Sequence, residues 1–258
     1  MKKFLLLFLF IICVSGILLG KMHWENKIET MSIKTNAKET QKSTVADEKA
    51  GNSLDDAMSN FSKELKELVQ KKVSENKSIT IAAVGSDATS DGDDSWPSIL
   101  QSELDESYGK EVFSINVRSL GDKNSLEAMR KIREEGVETT PDVLLLEPFL
   151  LKDNGEIRIE DSLDAITSII STYKNVNEDM VIILQPSNPL YDSKYYPIQV
   201  DQLKKYAKDN DYLYLNHWKE WPELDSEKME EYLTEESEPN KKGHQVWADY
   251  LVDYFTGQ

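Results

Sequence analysis

The sequence predicts a three-layer α/β/α domain built on a five-stranded parallel sheet, from two observations. From Ser78 onward, short runs rich in leucine and β-branched residues alternate with longer stretches of helical period, the pattern of βαβ units. The chain has 258 residues, of which 39% are hydrophobic, enough for one core of ordinary size with extensions.

Ahead of that domain, Lys2 and Lys3 precede an apolar run from Phe4 to Gly20, closed by Lys21. About 17 residues is the short end of a membrane-spanning helix. Positive charge on its first side predicts an N-terminus held inside and the remainder exported. Residues 1–24 therefore read as an uncleaved anchor of a single-pass membrane protein. The rival reading is a cleaved signal peptide and a secreted protein, because Val14, Ser15 and Gly16 are small. Cys13, the one cysteine, follows bulky Ile12 inside the run, so neither lipidation nor a disulfide is expected. Residues 25–52 are polar with no apolar period and predict a flexible stalk. Ser53 and Asp56 have the spacing of a helix N-cap pair. Leu54, Met58, Phe61, Leu65, Leu68 and Val69 then predict one amphipathic helix over 53–76 that packs against the domain. It is too short to argue for a coiled-coil dimer.

Within the domain, residues 77–258, the predicted strands are Ile79 to Val84, Val112 to Val117, Val143 to Leu146, Val181 to Leu184 and Tyr212 to Leu215. Helices are predicted near Trp96 to Tyr108, Ser125 to Glu135, Ile159 to Tyr173, Ile198 to Asn210 and Lys242 to Phe255. Ligands of open parallel sheets bind beyond the carboxyl ends of the strands. That points to the loops after each strand and to Thr234–Gly243 before the last helix. A net charge of −17 repels phosphate backbones, so nucleic acid is not an expected partner.

The first strand and loop read ITIAAVGSDATSDGDDSWPSIL, the third PDVLLLEPFLLKDNG, and the last helix opens with EESEPNKKGHQVWADYL. In order and element type these resemble the first, third and fifth blocks of the SGNH/GDSL hydrolases. Gly121 in VRSLGDKNS stands where the second-block glycine belongs. The resemblance implies a flavodoxin-like strand order 2-1-3-4-5 and action on an acetyl or acyl ester of an envelope glycan or lipid. It places Asp87 at the nucleophile serine, with Ser86 at the preceding aspartate. It places Lys152 near the oxyanion-hole asparagine, followed by Asp153, and a one-residue gap would bring in Asn154 instead. Glu238 stands at the catalytic histidine and Glu235 at its acidic partner.

These departures matter physically. A serine hydroxyl needs a base, nearly always an imidazole in hydrogen-bond reach, and a carboxylate is a weak substitute unless burial raises its pKa. His217, directly after the fifth strand, and His244, at the start of the last helix, are the imidazoles a relocated triad could recruit; each also reads as a structural histidine. Activity is therefore expected to be weak or lost, the alternative being a non-catalytic glycan- or protein-binding protein of the cell envelope.

Asp87, Asp91, Asp93, Asp94, Glu147, Asp153, Glu235 and Glu238 crowd the same sheet edge. They lack an EF-hand-like register and read as a solvated acidic rim, so no metal or other cofactor is expected. Trp96, Trp218, Trp221, Tyr191, Tyr195 and Tyr196 lie on or near the strand-end loops. They offer faces for stacking on sugars or serve local packing; packing is the reading for Trp96, and both stay open for Trp221.

Overall fold

The structure is a computed structural model that describes residues 55–257. The expected anchor and stalk, and the expected cap at Ser53, lie outside the described residues. Among the described residues no helix is long and apolar enough to cross a membrane.

The elements run α1 (Lys63–Ser74), β1 (Ile79–Gly85), α2 (Trp96–Tyr108), β2 (Phe113–Ser119), α3 (Ser125–Glu135), β3 (Val143–Leu146), the short α4 (Leu150–Asp153), α5 (Ile159–Lys174), β4 (Val181–Leu184), α6 (Tyr196–Asp209), β5 (Leu213–Tyr214) and α7 (Lys241–Thr256). Two 3-10 turns, His217–Glu220 and Glu227–Tyr232, precede α7. All strand pairs are parallel and the order is β2-β1-β3-β4-β5, as expected.

Side-chain alternation divides the core. Ala82, Val84, Leu144, Leu146, Ile182 and Leu184 point to one face, under α3, α5 and α6. On the other, α2 packs against α7, with Trp96 stacked on Trp247 at a ring separation of 5.4 Å. The central strands β1 and β3 are buried almost throughout, because a parallel sheet covered on both faces leaves no solvent side.

The single helix expected over 53–76 is interrupted. Ser62 caps α1 by accepting from the Leu65 N–H at 3.2 Å, and a turn separates it from the helical residues 55–57. A serine hydroxyl that binds backbone competes with helix continuation and favours a fresh start. β5 is shorter than expected, and α6 begins at Tyr196, two residues early, with Pro197 in its first turn, where its missing N–H costs nothing.

Candidate active site

β1 delivers Ser86 and Asp87 to the carboxyl edge, and the two point opposite ways. Ser86 is buried. Its N–H donates to Glu147 Oε2 at 2.7 Å and its hydroxyl donates to the same oxygen at 2.9 Å. Thr89 adds a third donor at 3.0 Å. Gly85 is required for this approach, since a β-carbon there would overlap both Glu147 and Thr89. Glu147, directly after β3, is fully buried. Burial outweighs the hydrogen bonds and raises its pKa to about 7.

Asp87 faces outward, with 47% of its side chain exposed. It meets a cation: Lys152 Nζ lies 3.8 Å from Asp87 Oδ2 and 2.6 Å from Glu238 Oε1. The positions equivalent by resemblance to nucleophile, oxyanion donor and base thus hold a carboxylate, an ammonium and a carboxylate that share one contact network. Burial by itself would lower the Lys152 pKa, but Glu238, Asp87 and Asp122 raise it, so the amine stays charged and is no nucleophile. The Asp87 pKa is raised by burial and by neighbouring Asp122, against the opposing pull of Lys152 and Lys123. Gly121, at φ +70°, passes beside Asp87, where a β-carbon would sit 3.6 Å from Oδ1. The Gly121 N–H, the expected oxyanion donor, is directed to Ser119 Oγ at 3.3 Å. A depression of about 500 Å³ over this point is lined by Asp87, Gly121, Asp122, Lys123 and Glu127. A larger groove, about 700 Å³, follows the free edge of β2 instead, and none of Asp87, Lys152 and Glu238 lines it.

The remaining candidates are placed apart from this network. Asp153 is buried and accepts from both the N–H and the hydroxyl of Ser125; it ties α4 to the start of α3, a positioning role. Glu235 is exposed on the turn before α7. His217 is unsuited to be a base. Its Nδ1 accepts from Trp221 Nε1 at 2.9 Å, so the proton must reside on Nε2, which donates to the Pro186 carbonyl at 3.0 Å. The ring stacks on Trp247 at 4.0 Å, and burial lowers its pKa to about 3. Protonation would break the Trp221 bond and bury a charge. The Nδ1 of His244 accepts from the Trp96 N–H at 3.4 Å, at the start of α2, and burial lowers its pKa as well.

The acidic rim is partly spent on ion pairs, with Asp94 bound to Lys241 at 2.8 Å. Among the described residues no group of three or more His, Cys, Asp or Glu is arranged to hold a metal ion. Of the aromatic candidates, Trp96, Tyr196 and Trp221 are buried and belong to the packing. Trp218 is half-buried and donates to the Ser187 carbonyl at 2.7 Å. Only Tyr191 and Tyr195 present exposed faces.

The turn carrying Glu238 is held from several sides. Thr234 N–H donates to the Glu238 carbonyl at 2.8 Å, and Leu233 bridges Pro239. Asn240 accepts from the Lys242 and Gly243 N–H groups and donates to the Glu231 and Leu233 carbonyls. Gly243 is needed because a β-carbon would strike the Tyr232 carbonyl. Asn188, after β4, donates to the Ser237 carbonyl at 2.9 Å. From sequence alone Asn188 has no expected role, and Glu147 is expected only as part of the acidic rim. Glu147 had a signal, a lone charge following four apolar residues and preceding Pro148-Phe149. Asn188 had none, because its partner is 49 residues away.

No family model and no curated protein matches the sequence. Solved structures do. The chain is similar to a putative lipolytic protein of the G-D-S-L family from Desulfitobacterium hafniense, at 18% identity and TM-score 0.52, over 68% of this chain and 98% of that one. It is similar to the psychrotrophic esterase EstA from Pseudoalteromonas sp., at 16% identity and TM-score 0.54, over 68% and 95%. A putative GDSL-like lipase from Parabacteroides merdae matches at 13% identity and TM-score 0.58, over 69% and 96%. The chain has the SGNH/GDSL hydrolase fold.

Proposed function

We propose that this is a non-hydrolytic protein of the SGNH/GDSL fold, exported and held at the membrane or secreted, which binds an envelope glycan or lipid ester at its strand-end cleft. The observation that carries this reading is the Asp87–Lys152–Glu238 network. It fills the reaction centre with two carboxylates on one ammonium, and among the described residues neither His217 nor His244 joins it. Ser86 and Glu147 resemble a nucleophile and base in distance and base strength, but the pair faces the interior and Ser86 is 2% exposed. A substrate carbonyl has no path to it.

The test is to incubate the full-length protein with a chromogenic acetyl ester and a fluorophosphonate probe. We expect no turnover above buffer and no labelling. Labelling of Ser86 that disappears in Ser86→Ala would overturn the reading.

A further inference from the structure

Among the described residues, the exposed large hydrophobic side chains are Val176, Tyr191, Tyr195 and Ile198. Three of them fall in the stretch that leads from β4 into α6. Tyr195 is 75% exposed and Ile198 54%. Tyr195, the capping residue before α6, and Ile198 in its first turn are three residues apart and share one face, and the Ile198 N–H donates to the Tyr195 carbonyl at 3.1 Å. Tyr191 is pinned by its neighbour, because the Asp192 N–H donates to the Leu224 carbonyl at 2.8 Å. The same loop carries Asn188, bonded to the turn that holds Glu238. The backbone that carries these side chains is therefore held in place by the start of α6 and by the Asp192–Leu224 and Asn188–Ser237 contacts, which lowers the ordering cost of binding.

Its surroundings are acidic. The Tyr191 hydroxyl is held above its ordinary pKa by partial desolvation and by Glu227, Asp192, Glu230 and Asp225. Lys194 and Lys228 share these segments and are outnumbered.

We propose that Tyr191, Tyr195 and Ile198 form a platform for a glycan that carries free amino groups. This rests on the non-hydrolytic reading of the domain. Tyrosine faces stack on the C–H faces of pyranose rings and the surrounding carboxylates pair with ammonium groups. An anionic polymer would be repelled by both this patch and the net charge of −17. A folded protein partner asks for about 800 Å² from one side, far more than these three side chains supply, whereas one or two sugar rings fit them.

The experiment titrates the full-length protein, in mild detergent, with a glucosamine hexasaccharide at mildly acidic pH. The fully N-acetylated hexasaccharide and hexalysine are run beside it. We expect the amine form to bind about tenfold or more tightly than the acetylated form, a difference of about 1.4 kcal/mol or more, and its binding to weaken with salt. We expect about tenfold loss in Tyr195→Ala and near-complete loss in Tyr191→Ala/Tyr195→Ala. Both side chains are exposed, so an unchanged melting temperature shows that the fold survives. Equal binding of the acetylated form, no binding of the amine form, or equally tight hexalysine binding lost in the same double variant would each overturn the inference. Ester turnover would instead overturn the non-hydrolytic reading and leave these binding results standing. Absent binding without turnover would overturn the platform alone.

Discussion

Two sets of carboxylates lie at the same sheet edge, and the fold treats them in opposite ways. Glu147 is wholly buried with no cation beside it. It is held by the N–H and hydroxyl of Ser86 and the hydroxyl of Thr89 and meets its desolvation largely by taking a proton. Asp87 and Glu238 sit at the rim, each within ion-pair distance of Lys152. The first arrangement is a structural joint between the first and third loops. The second joins the positions that correspond by resemblance to nucleophile, oxyanion donor and base. Hydroxyl and amide donors serve a group that can become neutral; an ammonium serves groups that solvent still reaches.

The sharpest way to separate the two is pH. Glu147 binds its proton more tightly in the folded state, about pH 7 against 4.5, so folding stability falls as pH rises from about 4.5 to about 7 and then levels off. The size is of order 3 kcal/mol. Urea titrations of wild type and Glu147→Gln across this window should show a decline that the glutamine variant lacks, with the variant the more stable above pH 7. Parallel curves would mean that Glu147 is not the group responsible.

The scaffold of the rim comes next. Gly243→Ala forces a β-carbon onto the Tyr232 carbonyl and should cost about 2 kcal/mol, read as a lowered denaturation midpoint at unchanged slope. The rim charges themselves weigh less. Lys152→Met removes the cation that Asp87 and Glu238 share and should cost about 1 kcal/mol, a deficit that shrinks in salt. A deficit independent of salt would point to packing of the lysine stem instead. Least of all, Glu235→Gln, on an exposed turn, should stay within about 0.5 kcal/mol of wild type.

The block motifs divide along the same line. Gly85, Asn240 and Gly243, which stand inside the first and fifth blocks, hold backbone where close approach or capping demands it. The chemistry-bearing positions Asp87, Lys152 and Glu238 had departed from the pattern. The sequence could show that they were changed and that Asp87 and Glu238 belong together at one edge, yet not that Lys152 stands between them.

The amino-acid sequence by itself determined the fold class, the strand order through the resemblance, and the loops that meet at one edge. Apolar periodicity and turn residues are local properties that each segment carries alone. Only the tertiary structure decided that Ser86 turns inward to Glu147, that Lys152 joins Asp87 to Glu238, and that His217 is locked between Trp221 and Pro186. These contacts link residues up to 86 positions apart. Their protonation follows from burial and neighbouring charge, which exist only once the chain has packed.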